Sequence, residues 1–286
     1  MRIEHASCYS WAVSASLYQP FPMAGNARGQ IWRHQPATRR PRHFHSEPEL
    51  NLVTAGRGAF GYGQRMVEVG AGDLVHWTPG QDHELLSASE DFDLFVIALA
   101  PDFSERVLGE VNHRTQRGPL LHHLSPEQLA PLALRCQFPS IHADSVAKET
   151  TVGDLWRQAH AYRDNGAPEH SLTRRVLGFV KDDPSISRGE IAARTHASPG
   201  EVSRHFHHDM ALPLSAYRSR LRLLRFIDRV DAGDSLLTAA LSAGFGSYSQ
   251  CHRVFQAAMA CSPREYFSTC IRRAIENAYA PLGQRG

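Results

Sequence analysis

The stretch AGFGSYSQCHRVFQAAMACSPREY, residues 243–266, decides the fold of the C-terminal part of this chain. Just before it, Ser235 precedes an apolar run that includes Ala239 and Ala240, as the cap of a short helix does. The two glycines of AGFG then predict a tight turn, and Ser247 predicts the start of a second helix. Two short helices joined by a tight turn form a helix-turn-helix.

The same pattern occurs once more, earlier in the chain. Ser187 and Ser198 each begin an S-x-x-E sequence, the capping box that opens a helix. Arg204 of this first unit corresponds to Arg253 of the second, an offset of 49 residues (253 − 204 = 49). Between the units, residues 214–230 alternate leucines with arginines. This spacer predicts one longer helix that holds the two units a fixed distance apart.

Charge is distributed unevenly along the chain. Residues 171–286 carry 16 basic and 10 acidic residues, a balance of +6, whereas residues 1–170 carry 15 and 19, a balance of −4. The basic part is therefore the candidate for a polyanionic partner. Each second helix can lie in the major groove of DNA, and two of them can enter successive groove segments about 34 Å apart. A helical bundle that binds no nucleic acid is the alternative.

Residues 172–267 closely resemble the DNA-binding domain of AraC/XylS-type transcription regulators, and the quoted stretch follows that family's second-unit signature nearly throughout. The resemblance implies seven helices, two helix-turn-helix units and a bipartite promoter site. It places the base-reading positions on Gly200, Ser203, Arg204, Tyr248, Ser249, Gln250 and Arg253, and makes His207, Arg218 and Arg220 candidates for phosphate contact.

The residue types at these positions suit base recognition. Arg204 and Arg253 can bind guanine through two hydrogen bonds, and Gln250 can address adenine. Glu201 can accept a hydrogen bond from cytosine, but its place in a capping box favours a structural role. The chain departs from the family pattern at His205, Cys251, Ala211 and Ala260, so the first unit is expected to be the less certain reader.

The N-terminal part predicts a different architecture. Residues 31–99 contain short apolar runs separated by many glycines, which is typical of a sandwich or barrel of short strands. Within them, RHFHSEPELNLVTAG, residues 42–56, places His43 and His45 two positions apart, and such residues share one face of a strand.

This spacing matches the first motif of cupins, and residues 72–83 resemble the second. The resemblance implies that His43, His45, Glu49 and His83 form a set of three imidazoles and one carboxylate, suited to Zn, Fe, Mn or Ni. Ala37 and Ser87 depart from the motifs, in place of a glycine and an asparagine.

Three interpretations of the histidines stay open: a bound transition metal, a metal-free polar pocket for an effector, and a structural role. Further pocket walls are expected from Trp32, Arg33, His34, His76 and Trp77. The neighbouring arginines Arg39, Arg40 and Arg42 either attract an anionic effector or belong to a solvated loop, and the loop is favoured.

The middle of the chain predicts helices. In residues 147–163 an apolar stripe recurs at steps of three and four, formed by Val152, Leu155, Trp156, Ala159 and Tyr162. Such a stripe either packs on its own domain or meets its copy in a dimer. The sequence NGAP at 165–168 breaks the helix. We therefore expect a sensor domain at 1–100, a helical connector that dimerises at 101–167 and a DNA-binding domain at 171–275.

Composition limits the compartment. Five cysteines without metal-binding spacing favour reduced thiols, and the sequence has neither a run of 18 apolar residues nor the apolar core of a signal peptide at its start. A cytoplasmic protein without membrane contact is expected.

These observations predict an α+β multidomain protein, with an N-terminal cupin-like β-barrel followed by helices and a C-terminal all-α double helix-turn-helix domain. The predicted function is a transcription regulator that binds promoter DNA, responds to a small molecule or a metal, forms a homodimer and works with RNA polymerase. The resemblance favours activation of transcription, and repression is the alternative. The rival hypothesis is a metal-dependent cupin enzyme, such as an oxygenase or isomerase, with an appended helical domain. The second-unit signature favours the regulator, because a catalytic appendage does not need it.

Overall fold

The structure is a computed structural model that describes residues 16–21, 23, 27–34, 40–108, 120–137, 145–164, 172–268 and 271–278. The expected helix break at 165–168, and Arg39 and Ala37, lie outside the described residues. The described strands are β1 (Gly29–Arg33), β2 (Glu49–Ala55), β3 (Arg57–Tyr62), β4 (Arg65–Gly70), β5 (Asp73–Trp77), β6 (Glu84–Ala88), β7 (Asp93–Leu99) and β8 (Leu120–His123).

The helices follow, with one short strand, β8, among them. They are α1 (Pro101–Leu108), α2 (Pro126–Gln137), α3 (Ser145–Asp164), α4 (Leu172–Asp182), α5 (Arg188–Thr195), α6 (Pro199–Met210), α7 (Leu214–Asp231), α8 (Leu236–Ser242), α9 (Tyr248–Met259), α10 (Pro263–Ser268) and α11 (Ile271–Ala278). None of these described helices is long and apolar enough to cross a membrane.

The strands form two antiparallel sheets. Five strands pair in the order β1-β7-β2-β5-β8, and three pair in the order β4-β3-β6. In the part of the chain that the structure describes, no strand ladder joins the two sheets. The cupin-like domain is therefore a roll of two facing sheets rather than a cylinder closed by hydrogen bonds.

The larger sheet is covered on both faces, and strand alternation decides what each face carries. On β2, Leu50 and Leu52 belong to the core shared with the helices. Val53 belongs to the core between the sheets, so Asn51 and Glu49, two and four positions before it, face the inside of the roll. The carboxylate predicted as a metal ligand thus enters the roll.

Helices α1 to α3 pack on the outer face of the larger sheet. Their apolar stripe joins the core of that sheet through Val152, Leu155, Trp156 and Ala159, each no more than 1% exposed. Of the two alternatives for this stripe, the structure shows packing on its own domain. The described helices of the expected connector are thereby part of the sensor domain.

The C-terminal part contains both helix-turn-helix units. In the first, Ser198 and Glu201 form the complete capping box at the start of α6, with N···O distances of 2.8 and 3.2 Å, as predicted. At Ser187 only half of the predicted box forms, because Glu190 pairs with Arg194 instead. In the second unit, Ser235 caps α8 and Ser247 caps α9.

Helix α7 is the predicted spacer, and three of its arginines donate hydrogen bonds to backbone carbonyl oxygens near the end of α4. Arg225 donates to the carbonyl oxygens of Lys181 and Asp182 at the end of α4, both at 2.7 Å. Arg218 donates to the carbonyls of Pro184 and Ser185. These bonds satisfy backbone acceptors that a helix end and the following turn leave open. Arg218 therefore has a structural role in the folded domain, and its contact with phosphate stays a prediction.

The two domains contact each other at several places among the described residues. The amides of Leu17 and Tyr18 donate to the carbonyl oxygen of Ala258 on α9, at 2.7 and 3.3 Å. Gly63 lies against the residue that ends α6, so closely that a Cβ there would be 2.0 Å from the carbonyl oxygen of Ala211. Between these contacts, Arg220 of α7 reaches into the sensor domain.

Asp228 on α7 provides a test of charge at this junction. Partial burial of its carboxylate, with repulsion from Asp231 and from Glu47 of the sensor domain, raises its pKa to about 6. The folded protein therefore binds the proton more tightly than the unfolded chain, and stability falls as pH rises from about 4 through 6. Asp228→Asn is expected to raise the free energy of unfolding at pH 8 by up to about 1 kcal/mol, because the side chain is exposed and solvent screens it.

Urea unfolding at pH 4 and at pH 8 measures this difference. The gain should vanish at pH 4, where the carboxylate is protonated in the folded state. Asp209→Asn, at an exposed position at the end of α6, is the control and should change stability little at either pH. An equal gain at both pH values would assign the effect to something other than charge.

Candidate functional site

Three histidines converge inside the roll. His43 and His83 form a two-residue antiparallel bridge, with N···O distances of 3.1 and 2.9 Å. The ring centroids are 4.5 Å apart for His43 and His83, 5.2 Å for His45 and His83, and 5.6 Å for His43 and His45. One nitrogen from each ring lies within 4.8 Å of the other two, and all three residues are 3–4% exposed. The three histidines that the motifs predicted to lie together therefore do so in the folded chain.

Backbone carbonyls fix the orientation of all three rings. Nδ1 lies 2.8 Å from the Pro41 oxygen in His43, 2.8 Å from the Glu47 oxygen in His45 and 3.3 Å from the Gln81 oxygen in His83. Because a carbonyl only accepts, each Nδ1 carries the hydrogen, and Nε2 of His43 and of His83 keeps a lone pair. This second contact is what orients metal-binding histidines in proteins.

Glu49 completes the cluster. Its Oε2 lies 3.0 Å from Nε2 of His45 and 3.6 Å from Nε2 of His83. Its Oε1 accepts a hydrogen bond of 2.6 Å from Asn51, whose own oxygen accepts one of 2.7 Å from the Trp77 indole. Trp77 in turn stacks on His83, with centroids 4.7 Å apart and planes inclined by 6°. The carboxylate is therefore held in place by a chain of buried contacts.

Burial and neighbouring charges set the protonation of the cluster. Burial lowers the pKa of His43 well below its usual value, and Arg40 adds to this. Burial by itself raises the pKa of Glu49, but the nearby imidazoles of His83 and His45 outweigh it and the pKa lies well below its ordinary value. Neutral imidazole and ionised carboxylate are the forms in which these side chains bind a metal.

The residues present fit a transition metal. Nε2 of His43 and Nε2 of His83 are buried and have no hydrogen-bond partner among the described residues. At His45, both a carbonyl and a carboxylate face the ring nitrogens, so a second proton or a cation must lie between Nε2 and Glu49. The rings pack too closely to admit an organic molecule between them, which disfavours the metal-free effector pocket at this point.

The expected pocket walls separate into two groups. Trp77 lies in the roll, and Trp32 packs against Phe21, whose ring edge faces His45 at 5.3 Å. His76, next to Trp77 on β5, points to the opposite face, where it meets Trp156 and His160 of α3. Successive side chains of a strand point to opposite faces, so His76 and Trp77 cannot both line the same pocket.

The remaining predicted wall residues lie outside the cluster. Arg33 is exposed and pairs with Asp93 at 2.6 Å, and the ring of His34 faces Phe92 with its centroid at 6.3 Å. Arg40 lies over the Phe21 ring, and Arg42 pairs with Asp82 and Glu84 at 3.2 and 2.7 Å. Neither arginine belongs to the solvated loop that the sequence favoured.

The predicted base-reading residues lie at the starts of α6 and α9, mostly in exposed positions. Arg204 and Arg253 are exposed, and in the described part of the chain neither forms an ion pair or a side-chain hydrogen bond. Gly200, His207 and Ser249 are also exposed, whereas Ser203, Tyr248 and Gln250 are partly buried. The two reading helices thus each present one uncommitted arginine.

Two of the polar readers are engaged in their own helices. The Ser203 hydroxyl donates to the carbonyl oxygen of Pro199 at 2.9 Å, and Oε1 of Gln250 accepts from the amide of Gly246 at 2.9 Å. Gln250 therefore acts in the cap of α9, much as Glu201 does in α6. Its amide nitrogen is the group left for adenine.

Two family models match the chain. The one described as "AraC-like ligand binding domain" matches residues 28–162, and the one described as "Helix-turn-helix domain" matches residues 191–269. The chain belongs to the AraC family of ligand-controlled transcription regulators. The recognition made from the quoted motifs is confirmed for both domains.

Solved structures similar to this AraC-family chain include two regulators and one enzyme. ToxT from Vibrio cholerae is 13% identical with a TM-score of 0.43, and the match covers 83% of this chain and 95% of ToxT. The AraC-like transcriptional activator CuxR is 12% identical, TM-score 0.33, over 70% and 72% of the two chains. An oxalate decarboxylase from Bacillus subtilis is 22% identical, TM-score 0.23, over 28% and 23%. No curated protein matches the chain.

Sequence reasoning missed the residues that join the two domains of this AraC-family regulator. Arg220, predicted to contact phosphate, has its guanidinium bound to Asp82 in the sensor domain at 2.5 Å, and the contact with DNA stays a prediction. Burial by itself raises the pKa of Asp82, but the charges of Arg220 and Arg42 outweigh it and keep the pKa below its ordinary value. The position of Asp82 directly before the predicted ligand His83 was the one signal available.

Proposed function

We propose that this regulator activates transcription and reads its promoter through Arg204 and Arg253, one from each reading helix. The observation that supports the proposal is a contrast between arginines. Arg218, Arg220 and Arg225 of α7 all bind protein groups, whereas the two arginines on the reading helices have no such partner in the described residues. A free, exposed guanidinium near the start of such a helix can form two hydrogen bonds to guanine.

Arg253→Ala is expected to weaken binding to the promoter by about 1–3 kcal/mol, roughly 5- to 150-fold, through one base position. A mobility shift on the chain's own upstream DNA, repeated with each base pair in turn replaced, measures the loss. The variant should no longer distinguish the base at one position. The salt dependence of the wild-type complex, taken at two ionic strengths, checks that phosphates are contacted as well.

Arg229→Ala is the matched control, because Arg229 lies at the end of α7 and pairs with Asp234 at 2.6 Å. It should bind the promoter like the wild type. If Arg253→Ala weakened binding equally on every sequence, Arg253 would be a phosphate contact and not a base reader. Failure of the wild type to prefer its promoter over unrelated DNA would overturn the proposed function.

We also propose that His43, His45, His83 and Glu49 bind one divalent transition metal. The two buried, unpartnered Nε2 atoms, the carbonyls that orient the rings and the close carboxylate support this assignment. Elemental analysis of protein prepared without a histidine tag, after growth with Zn, Fe, Mn and Ni, tests it. One equivalent of metal is expected, and none after supplementation would leave the cluster as a structural element.

The proposal includes sensing rather than catalysis at this cluster. The four side chains are 2–5% exposed, and an enzyme's metal needs open positions that substrate can reach.

We further propose a homodimer in the cytoplasm that responds to a small molecule or to the metal itself and contacts RNA polymerase. Because the α3 stripe is buried in its own domain, a dimer has to use another surface, such as the exposed Leu134 of α2. Sedimentation at several protein concentrations tests this.

A further inference from the structure

One arginine of the DNA-binding domain is seated in a socket of the sensor domain. The guanidinium of Arg220 donates to the carbonyl oxygen of Gly80 at 3.0 Å and to Asp82 at 2.5 Å. Its carbon lies 4.9 Å from the centre of the Phe44 ring, in cation–π contact. The side chain is 17% exposed, so the socket withdraws most of it from solvent.

The two walls of this socket belong to the same backbone segments as the metal cluster. Phe44 is the residue between His43 and His45, and its ring is fully buried in the core of the DNA-binding domain. Asp82 directly precedes His83. Behind the socket the walls are joined by the short bridge between His43 and His83 and by the amide of Gly80, which donates to the carbonyl oxygen of His45 at 2.9 Å.

Further contacts tie the second wall to the docked helices. Asp82 also accepts from Arg42 and from the amide of Gly63, both at 3.2 Å. Gly63 is the residue pressed against the end of α6. The side chain of Thr78, at the start of the same segment, hydrogen-bonds the buried Tyr217 of α7. A displacement of the residues around His83 therefore reaches the DNA-binding domain at several points.

We propose that a transition metal bound by the three histidines links the two walls of the Arg220 socket and so stabilises the docked arrangement of the DNA-binding domain on the sensor domain. The inference rests on the proposed metal site. A metal held by His43, His45 and His83 fixes Phe44 relative to Asp82, and the socket is then formed before Arg220 enters. Linkage makes the effect reciprocal: a protein with an intact socket binds the metal more tightly.

Because the coupling is reciprocal, it can be tested with a variant of a socket residue that does not contact the metal. Zn²⁺ affinity of the full chain is measured by competition with a chromophoric chelator. Arg220→Ala is expected to weaken Zn²⁺ binding fivefold or more, the lower end of common coupling between sites. Arg229→Ala, on the same helix but paired with Asp234, should change it less than twofold. Arg220→Lys, which keeps the charge without the planar fork, should lie between them.

Hydrogen exchange gives a direct reading of docking in the wild type. The amides of Leu17 and Tyr18, which donate to Ala258 across the junction, should exchange more slowly when Zn²⁺ is added. Should Arg220→Ala lose its fold by circular dichroism, Tyr217→Phe replaces it, since that variant removes only the hydroxyl that meets Thr78.

The outcomes separate the two proposals. No Zn²⁺ binding by the wild type would overturn the metal site, and this inference with it. Zn²⁺ binding that is equal in wild type, Arg220→Ala and Arg229→Ala, with unchanged exchange at Leu17 and Tyr18, would keep the metal site and overturn the coupling. The coupling is supported if Arg220→Ala binds Zn²⁺ more weakly while Arg229→Ala does not, and if Zn²⁺ slows hydrogen exchange at Leu17 and Tyr18.

Discussion

Replacing Phe255 by alanine is expected to lower the free energy of unfolding of the DNA-binding domain by about 3–5 kcal/mol and to abolish promoter binding. Phe255 is fully buried at the centre of that domain. Its ring contacts Phe226 of the spacer helix at 5.8 Å and Tyr266 at 5.5 Å between centroids. Truncation removes the contact between α9 and the spacer helix α7, and it leaves a cavity between these two helices.

The distribution of tryptophans allows each domain to be followed separately. All four, Trp11, Trp32, Trp77 and Trp156, precede the DNA-binding domain. Tryptophan fluorescence therefore reports unfolding of the sensor domain, and far-ultraviolet circular dichroism reports mainly the helices. In Phe255→Ala the helical transition should move to lower temperature much further than the tryptophan transition.

Gln256→Ala, the exposed neighbour on α9, is the control and should leave both transitions nearly unchanged. If Phe255→Ala shifted the two transitions together and by the same amount, the domains would unfold as one cooperative unit. A shift of less than about 1 kcal/mol would contradict the burial of this ring.

His45→Ala is expected to lower the affinity for a transition metal by at least about 100-fold, more than the 10- to 100-fold commonly lost when a residue that only orients a ligand is changed. His45 is the ring whose two nitrogens face the Glu47 carbonyl and the Glu49 carboxylate, 2.8 and 3.0 Å away. Removing it takes away one ligand and also leaves Oε2 of Glu49 without its hydrogen-bond partner. Metal content after dialysis and affinity by chelator competition measure the loss.

His123→Ala is the control for this variant, because His123 is 72% exposed on β8 and pairs with Asp73. It should keep the metal of the wild type. Retention of stoichiometric metal by His45→Ala would show that the metal lies elsewhere in the molecule. A loss in both variants would point to metal held at the surface.

The local signals in the sequence were sufficient for the helix-turn-helix units. Capping residues such as Ser198 and Ser247 hydrogen-bond to amides three positions later, so both partners of the interaction stand close together in the sequence. The spacing of His43, His45 and Glu49 is local in the same sense. His83 is distant in sequence, and the family motif supplied it where periodicity could not.

The arginines of α7 show where sequence reasoning fails. Arg218, Arg220 and Arg225 are the same residue type as Arg204 and Arg253 and, like them, lie on helices. Their difference lies in tertiary contacts. Backbone carbonyls and Asp82 bind the first three, whereas neither of the other two forms an ion pair or a side-chain hydrogen bond among the described residues. The sequence does not show whether an arginine binds DNA or another part of its own protein.

The docking contacts hold the two reading helices by their C-terminal ends. α6 ends against Gly63, and Ala258 in the last turn of α9 receives the amides of Leu17 and Tyr18. Each helix has 12 residues and is about 18 Å long, so the ends that carry Gly200 and Tyr248 lie well away from the sensor domain. A promoter can approach from the far side while the roll stays clear of it. Under the proposed metal binding, an ion could then bind or leave while the regulator stays on its promoter, and switching would not require a new search of the genome.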